Sequence, residues 1–225
     1  MTTGQQAELD WKDGGTPVSR RFDDPYFSLE NGLAETRHVF LAGNDLPARF
    51  APGFHIAELG FGTGLNMLAA LIAWRASGTA GALRFSSFEA YPMTAAEIAR
   101  ALDAFPEAKA VAGPFLAAWE RGERRIEMEG LIAEIVTGDA RETLPRWDGR
   151  ADAWFLDGFS PARNPELWEA SLMEQVARHT RSGGTLATYS AAGDVRRALA
   201  DAGFGIERRP GFGRKRHMTT GRLTV

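Results

Sequence analysis

Cysteine is absent from all 225 residues, so disulfides, thiolate metal sites and cysteine nucleophiles are excluded. Histidine is scarce, and His38, His55, His179 and His217 are dispersed without metal-ligand spacing. No run approaches the roughly 18 consecutive apolar residues of a membrane span, and the opening MTTGQQAELDWKDGG lacks the basic and apolar segments of a signal peptide. A cytoplasmic enzyme with no membrane association and no metal is the expectation. An excess of positive charge is missing too, since the net charge is −3, which on average disfavours a polynucleotide partner. The distribution reads differently. Arg208, Arg209, Arg214, Lys215, Arg216 and His217 cluster against a single opposing acid, Glu207, and a basic patch suffices for an anionic partner.

What is present is dominated by Glu58-Leu59-Gly60-Phe61-Gly62-Thr63-Gly64-Leu65-Asn66, which sets three glycines two apart between a strand-like and a helix-like run. Such a turn lets a ligand approach the backbone and presents unpaired amides at a helix start. The dinucleotide fingerprint would need glycine where Leu65 stands, and the P-loop would need a Gly-Lys-Ser/Thr ending. Neither fits. The remaining pattern, Glu-x-Gly-x-Gly-x-Gly, is similar to the first motif of class I methyltransferases that use S-adenosylmethionine.

Periodicity places the rest. Residues 1 to about 22 read as irregular, and a short helix is expected over 32–40. Strands are expected near 54–59, 83–89, 125–136 (strand or hairpin), 151–157, 185–189, 204–210 and 216–224. Helices are expected near 65–76, 94–102, 115–119, 166–178 and 193–202. No repeat or linker divides the chain, and alternation of strand and helix means an α/β fold, a mostly parallel sheet with helices on both faces. Residues 1–50 read as an N-terminal extension packed on a core domain of 51–225.

Ligands of such a sheet sit beyond the carboxyl ends of its strands, and carboxylates recur there: Glu58, Glu89, Asp139 and Asp157. Asp157 follows Trp154-Phe155-Leu156 and would be costly to bury without a partner. Were the ligand S-adenosylmethionine, Glu89 could accept both ribose hydroxyls and Asp139 the adenine amine. Gly60, Gly62 and Gly64 would leave room for the cofactor, with Asn66 beside them, and Glu58 or Asp157 would meet its positive groups. For Glu58, a strand-end group bonded only to backbone amides remains the competing reading. Ser160 follows Gly158-Phe159 but lacks the context of a nucleophile elbow.

Beyond the fourth strand runs Asp157-Gly158-Phe159-Ser160-Pro161-Ala162-Arg163-Asn164-Pro165-Glu166-Leu167-Trp168, a stiff loop carrying an acid, aromatics and two prolines. With Gly-Phe-Gly-Thr-Gly-Leu-Asn, with Gly211-Phe212-Gly213-Arg214-Lys215-Arg216, and with Asp24-Pro25-Tyr26-Phe27-Ser28 and Gly32 to Phe40, it closely resembles the methyltransferase domain of the bacterial MnmC family. The resemblance runs from about Phe22 to the C-terminus. It implies a class I, Rossmann-like fold on a seven-stranded sheet, with S-adenosylmethionine as cofactor. It also implies an activity: methylation of 5-aminomethyl-2-thiouridine to 5-methylaminomethyl-2-thiouridine at the wobble position of tRNA. The family's FAD-dependent oxidase half is not expected in a chain that stops at Val225. No FAD is therefore expected, and a separate FAD-dependent oxidase or an upstream tRNA-modifying enzyme would supply the substrate.

On this reading Asp157 orients the acceptor amine and receives or relays its proton. A flipped base would stack among Phe159, Trp168, Tyr189 and Phe212, while Arg163, Arg214, Lys215 and Arg216 would contact phosphates. Two alternatives stay open: a methyltransferase of the same fold acting on a small-molecule or protein amine, and a cofactor-binding partner of a separate oxidase.

Overall fold

The N-terminal stretch expected to be irregular instead forms strands. In the computed structural model, which describes residues 6–12, 15–28 and 31–224, β1 (Leu9–Lys12) pairs antiparallel with β2 (Thr16–Ser19), and β3 (Asp24–Pro25) adds to β2. Only Leu9 and Trp11 alternate inward on β1, and Pro17 interrupts β2, so period-two patterning is too short to announce the hairpin. Arg100 lies 3.9 Å over the Trp11 ring, docking the hairpin on the helix that carries it.

After α1 (Gly32–Thr36), which a wide turn over 37–41 prolongs, the main sheet begins. Its strands are β4 (His55–Leu59), β5 (Leu83–Glu89), β6 (Arg125–Met128), β7 (Leu131–Thr137), β8 (Ala151–Leu156), β9 (Thr180–Thr188), β10 (Phe204–Pro210) and β11 (His217–Leu223). Their order is β10-β11-β9-β8-β4-β5-β7-β6. Eight strands stand where seven were expected, because the 125–136 segment is a hairpin whose first arm, β6, adds an antiparallel edge. The five central strands, β7, β5, β4, β8 and β9, are parallel.

Helices fill both faces: α2 (Leu65–Ser77), α3 (Ala95–Leu102), α4 (Pro106–Glu120), α5 (Ala140–Thr143), α6 (Ala170–Arg178) and α7 (Gly193–Asp201). Thr94 and Glu97 close a reciprocal capping box at the start of α3, as the Thr-x-x-Glu spacing dictates. Helix α4 is far longer than the stretch expected at 115–119; its alanine-rich turns continue through Gly113-Pro114. The helix expected from Glu166 is divided, because Glu169 is extended between a 3₁₀ turn at Pro165–Trp168 and α6.

Alternation along the strands assigns the two cores. Ile56, Phe85, Ala153 and Phe155 pack with α2 and α4 on one face, while Ala57, Leu59, Phe88, Trp154 and Leu156 pack with α6 and α7 on the other. The segment before the sheet joins the first of these through Leu33, Val39, Phe40, Leu41 and Leu46. The chain works outward from β4 in one direction and from β8 in the other, so the crevice between their carboxyl ends is the topological switch point.

Candidate active site

At that crevice Gly60 leaves β4 with φ +88°, and its amide donates to the Phe88 carbonyl of the neighbouring strand. A Cβ there would collide with the carbonyl oxygen of Asp157, so both the backbone angle and the close approach demand glycine. Gly62, at φ +54°, lies against the Tyr26 ring, where a Cβ would come within 3.2 Å. Gly64 is the left-handed N-cap of α2 and offers no side chain, so the first turn of that helix is not closed by a cap.

Asn66, on the first turn of α2, organises the polar interior. Its amide nitrogen donates to Glu58 Oε1 at 2.9 Å and to Asp157 Oδ2 at 2.6 Å, and its oxygen accepts from Thr36 Oγ1 at 2.7 Å. Ser87 Oγ donates to the other Glu58 oxygen at 2.6 Å. Glu58 is fully buried beneath this network, and burial pushes its carboxyl well above the usual carboxylate range, with Ser87 and Asn66 opposing that shift. Glu58, expected to meet positive groups of the cofactor, is held by the Ser87 and Asn66 side chains and is absent from the lining of the crevice. It stands one residue before the end of β4, on the Ile56 side of the sheet, where Asn66 of α2 covers it.

A cavity of about 1330 Å³ opens above the strand ends, lined among others by Gly60, Gly62, Asn66, Glu89, Asp139 and Asp157. Glu89, the last residue of β5, accepts from the amides of Gly62 at 3.0 Å and Tyr91 at 2.7 Å. Burial raises its pKa, and the surrounding amides oppose the shift. Asp139 also lines the cavity but caps α5 and is gripped by Arg141 through three side-chain contacts of 2.7–3.1 Å. The Arg141 guanidinium holds the Asp139 carboxyl below its ordinary range. With Arg141 in that position the carboxylate has little acceptor capacity left for an adenine amine.

The β8 side of the crevice is made by α1, the tip of β8 and the β10–β11 loop. Burial pushes Asp157 up to about 7; Asn66 and Lys215 pull it down and Glu35 adds to the rise. Tyr189 donates to the Gly158 carbonyl at 2.7 Å, and burial first, then the charge of Asp157, raises its pKa well above the usual phenol range. Phe159 is sandwiched between Phe22, stacked at 4.8 Å, and Tyr26, edge-on at 4.9 Å. Trp168 is buried and donates to the Phe159 carbonyl, which makes it a support of that loop. Phe212 packs near the His38 ring at 5.9 Å and lines the cavity.

The basic residues separate. Arg163 lines the rim, paired with Asp23 at 3.0 Å, and Arg214 lines it too. Arg216 is exposed beyond the cavity, its carbonyl accepting from Gly211 to close the loop. Lys215, expected to meet a phosphate, has its ammonium 2.8 Å from Glu35 Oε1 and 3.9 Å above the Tyr189 ring centroid. The tight return from Gly211 to Arg216 folds this residue back over the crevice.

Residues the sequence reading left out include Tyr26, Glu35, Thr36 and Arg141, all lining the cavity. Thr36 carried a usable signal, as a hydroxyl set in the apolar stripe of Leu33, Val39 and Phe40. Among the described residues no group of histidines or carboxylates is placed to hold a metal ion, and no helix is long and apolar enough to cross a membrane.

A model of a family described as S-adenosyl-L-methionine-dependent methyltransferase matches residues 105–224. The chain belongs to that family. This methyltransferase is 47% identical, over 97% of its length, to the tRNA 5-methylaminomethyl-2-thiouridine biosynthesis bifunctional protein MnmC of Stutzerimonas stutzeri, of which the match covers 35%. It is 46% identical, over 96% of its length, to the protein of the same name from a Caulobacter species, covering 38% of it. The chain thus spans about a third of the length of the curated relatives it matches. Among solved structures it is similar to MnmC2 from Aquifex aeolicus, with TM-score 0.75 and 25% identity, covering all of this chain and 72% of that one.

Proposed function

We propose that this methyltransferase converts 5-aminomethyl-2-thiouridine to 5-methylaminomethyl-2-thiouridine at the wobble position of tRNA, in the cytoplasm. The observation that carries the reading is Asp157, a carboxylate fixed by Asn66 at 2.6 Å inside the crevice beside the glycine loop, where an amine and a methyl donor can meet. The tRNA-modifying relatives, 46–47% identical across nearly the whole chain, support tRNA as the substrate.

The residues present suit the cofactor: a left-handed glycine turn whose Gly60 and Gly62 line the crevice, and a Glu89 carboxylate steadied by amides at the neighbouring strand end. Bound there, S-adenosylmethionine supplies a methyl group on a positively charged sulfur. Glu89 would hold the ribose hydroxyls, while Asp139 serves the adenine only if Arg141 releases it. Asp157 orients the acceptor amine so that its lone pair is in line with the methyl carbon, and positioning of two reactants supplies most of the rate. Phe159, Tyr189 and Phe212 give the flipped base flat apolar surface, Arg163 and Arg214 meet phosphates at the rim, and Arg216 does so beyond it. The aminomethyl substrate has to be supplied by an upstream tRNA-modifying reaction.

The test is bulk tRNA from a strain lacking the gene, digested to nucleosides and resolved by mass spectrometry. Build-up of the unmethylated aminomethyl nucleoside is expected, and purified protein with S-adenosylmethionine should convert it. No build-up and no conversion would reject the assignment.

A further inference from the structure

Methylation of an amine faces an electrostatic difficulty at this site. The nitrogen forms the new N–C bond with its lone pair as the C–S bond breaks, leaving a neutral thioether and a methylated ammonium. An incoming ammonium must therefore first surrender one proton, to Asp157 or to water. Two carboxylates, Asp157 and Glu35, approach the acceptor end of the cavity. Together they would grip an ammonium and hold its proton in place.

Lys215 changes that balance. It reaches in from the β10–β11 loop, pairs with Glu35 of α1 at 2.8 Å and rests 3.9 Å over the Tyr189 ring at the end of β9. Ion pair and ring together fix where its charge lies. We propose, resting on the amine-methylating reading above, that Lys215 is a positioning residue for acceptor deprotonation: its docked positive charge cancels Glu35 and opposes the ammonium form of the amine beside Asp157. A lysine amine next to a fixed cation is made nucleophilic by the same physics.

The charged and titratable groups around this point are Glu35 from α1, Asp157 after β8, Tyr189 after β9, Asp24 from the N-terminal strands, and Arg214 and Arg216 on the loop itself. Glu58 lies behind Asn66. Lys215 already acts on one of them, since its charge lowers the Asp157 pKa. Its side chain is half-exposed, so solvent screens part of the effect.

Single-turnover methylation of tRNA carrying 5-aminomethyl-2-thiouridine, followed between about pH 6 and 10 to bracket an ordinary aliphatic amine, separates the possibilities. Lys215→Met should move the acid limb upward by about one unit, slowing the reaction roughly tenfold near pH 7 and converging with the parent at high pH. Lys215→Arg should restore the parent profile. In calorimetry with S-adenosylhomocysteine present, binding of an anticodon stem-loop bearing the aminomethyl group should release fewer protons from Lys215→Met than from the parent. An unmoved acid limb would overturn the proposal. So would a variant that loses tRNA affinity and salt slope with its pH profile intact, which is the signature of a phosphate contact. Failure of the parent to methylate this tRNA at all would instead reject the functional reading on which the proposal rests.

Discussion

At the glycine-loop end of the cavity the groups that hold the site in place are backbone amides, whereas at the end beneath the β10–β11 loop they are side chains. Glu89 is steadied by the amides of Gly62 and Tyr91, whose positions follow from the strands and the glycine turn. Asp157 is steadied by Asn66, which in turn needs Thr36, and its charge responds to Lys215 and Glu35. The difference teaches that geometry at the first end is inherited from the fold, while at the second burial raises the Asp157 carboxyl and a few replaceable residues modulate its protonation. The first end suits a constant ligand. The second is where substrate chemistry and pH dependence are decided.

Asp157→Ala strikes the side-chain end directly and carries the largest expected effect: turnover falls by about 10²–10⁴-fold, the range of a positioned acid–base group, with affinity for S-adenosylhomocysteine nearly unchanged. Steady-state kinetics beside equilibrium binding measures both, and retained turnover would erase the distinction between the ends. Glu89→Ala strikes the other end and should weaken cofactor binding by on the order of 1.5–3 kcal/mol, the loss of charge-assisted hydrogen bonds. An unchanged dissociation constant would move the ribose elsewhere. Thr36→Val leaves the Asn66 oxygen unsatisfied in a buried place and should cost about 1–3 kcal/mol of stability in denaturant unfolding, with a lower kcat and unaltered cofactor affinity. If kcat holds, Asn66 keeps its orientation without Thr36.

The smallest effect is a pH-dependent one. Asp157 holds its proton up to about pH 7 in the folded protein, against the usual carboxylate range near 4 in the unfolded chain. The folded state binds more protons in that window, so stability declines as pH rises through it. Asp157→Asn removes the decline: its Tm should exceed the parent's above pH 7 by a few degrees, about 2–4 °C for each kcal/mol gained, and the gap should close toward about pH 4. A constant gap across that range would contradict the raised pKa.

Much of this was legible in the chain. The glycine turn, the parallel strands and the terminal carboxylates Glu89 and Asp157 follow from local patterns: period-two apolar runs, glycines at a strand-to-helix junction, and acids where strands stop. Glu58 stands one residue short of the end of β4, and the Asn66 and Ser87 contacts that cover it leave no periodic trace. A basic run points Lys215 toward a phosphate, and only the return from Gly211 to Arg216 sets it beside Glu35, 180 residues away in sequence. Arg141 was missed because its partner Asp139 is two residues before it, a spacing that becomes a bidentate clamp only once α5 begins at that acid. Long-range side-chain pairing of this kind leaves no periodic trace.

The most direct test of the account is a calorimetric titration of the protein with S-adenosylhomocysteine, paired with its thermal unfolding. One molecule bound per chain, with a rise in Tm that Glu89→Ala diminishes and Asp157→Ala does not, is the predicted result. No heat and no shift in unfolding temperature would contradict the assignment of the crevice between β4 and β8 as the cofactor site.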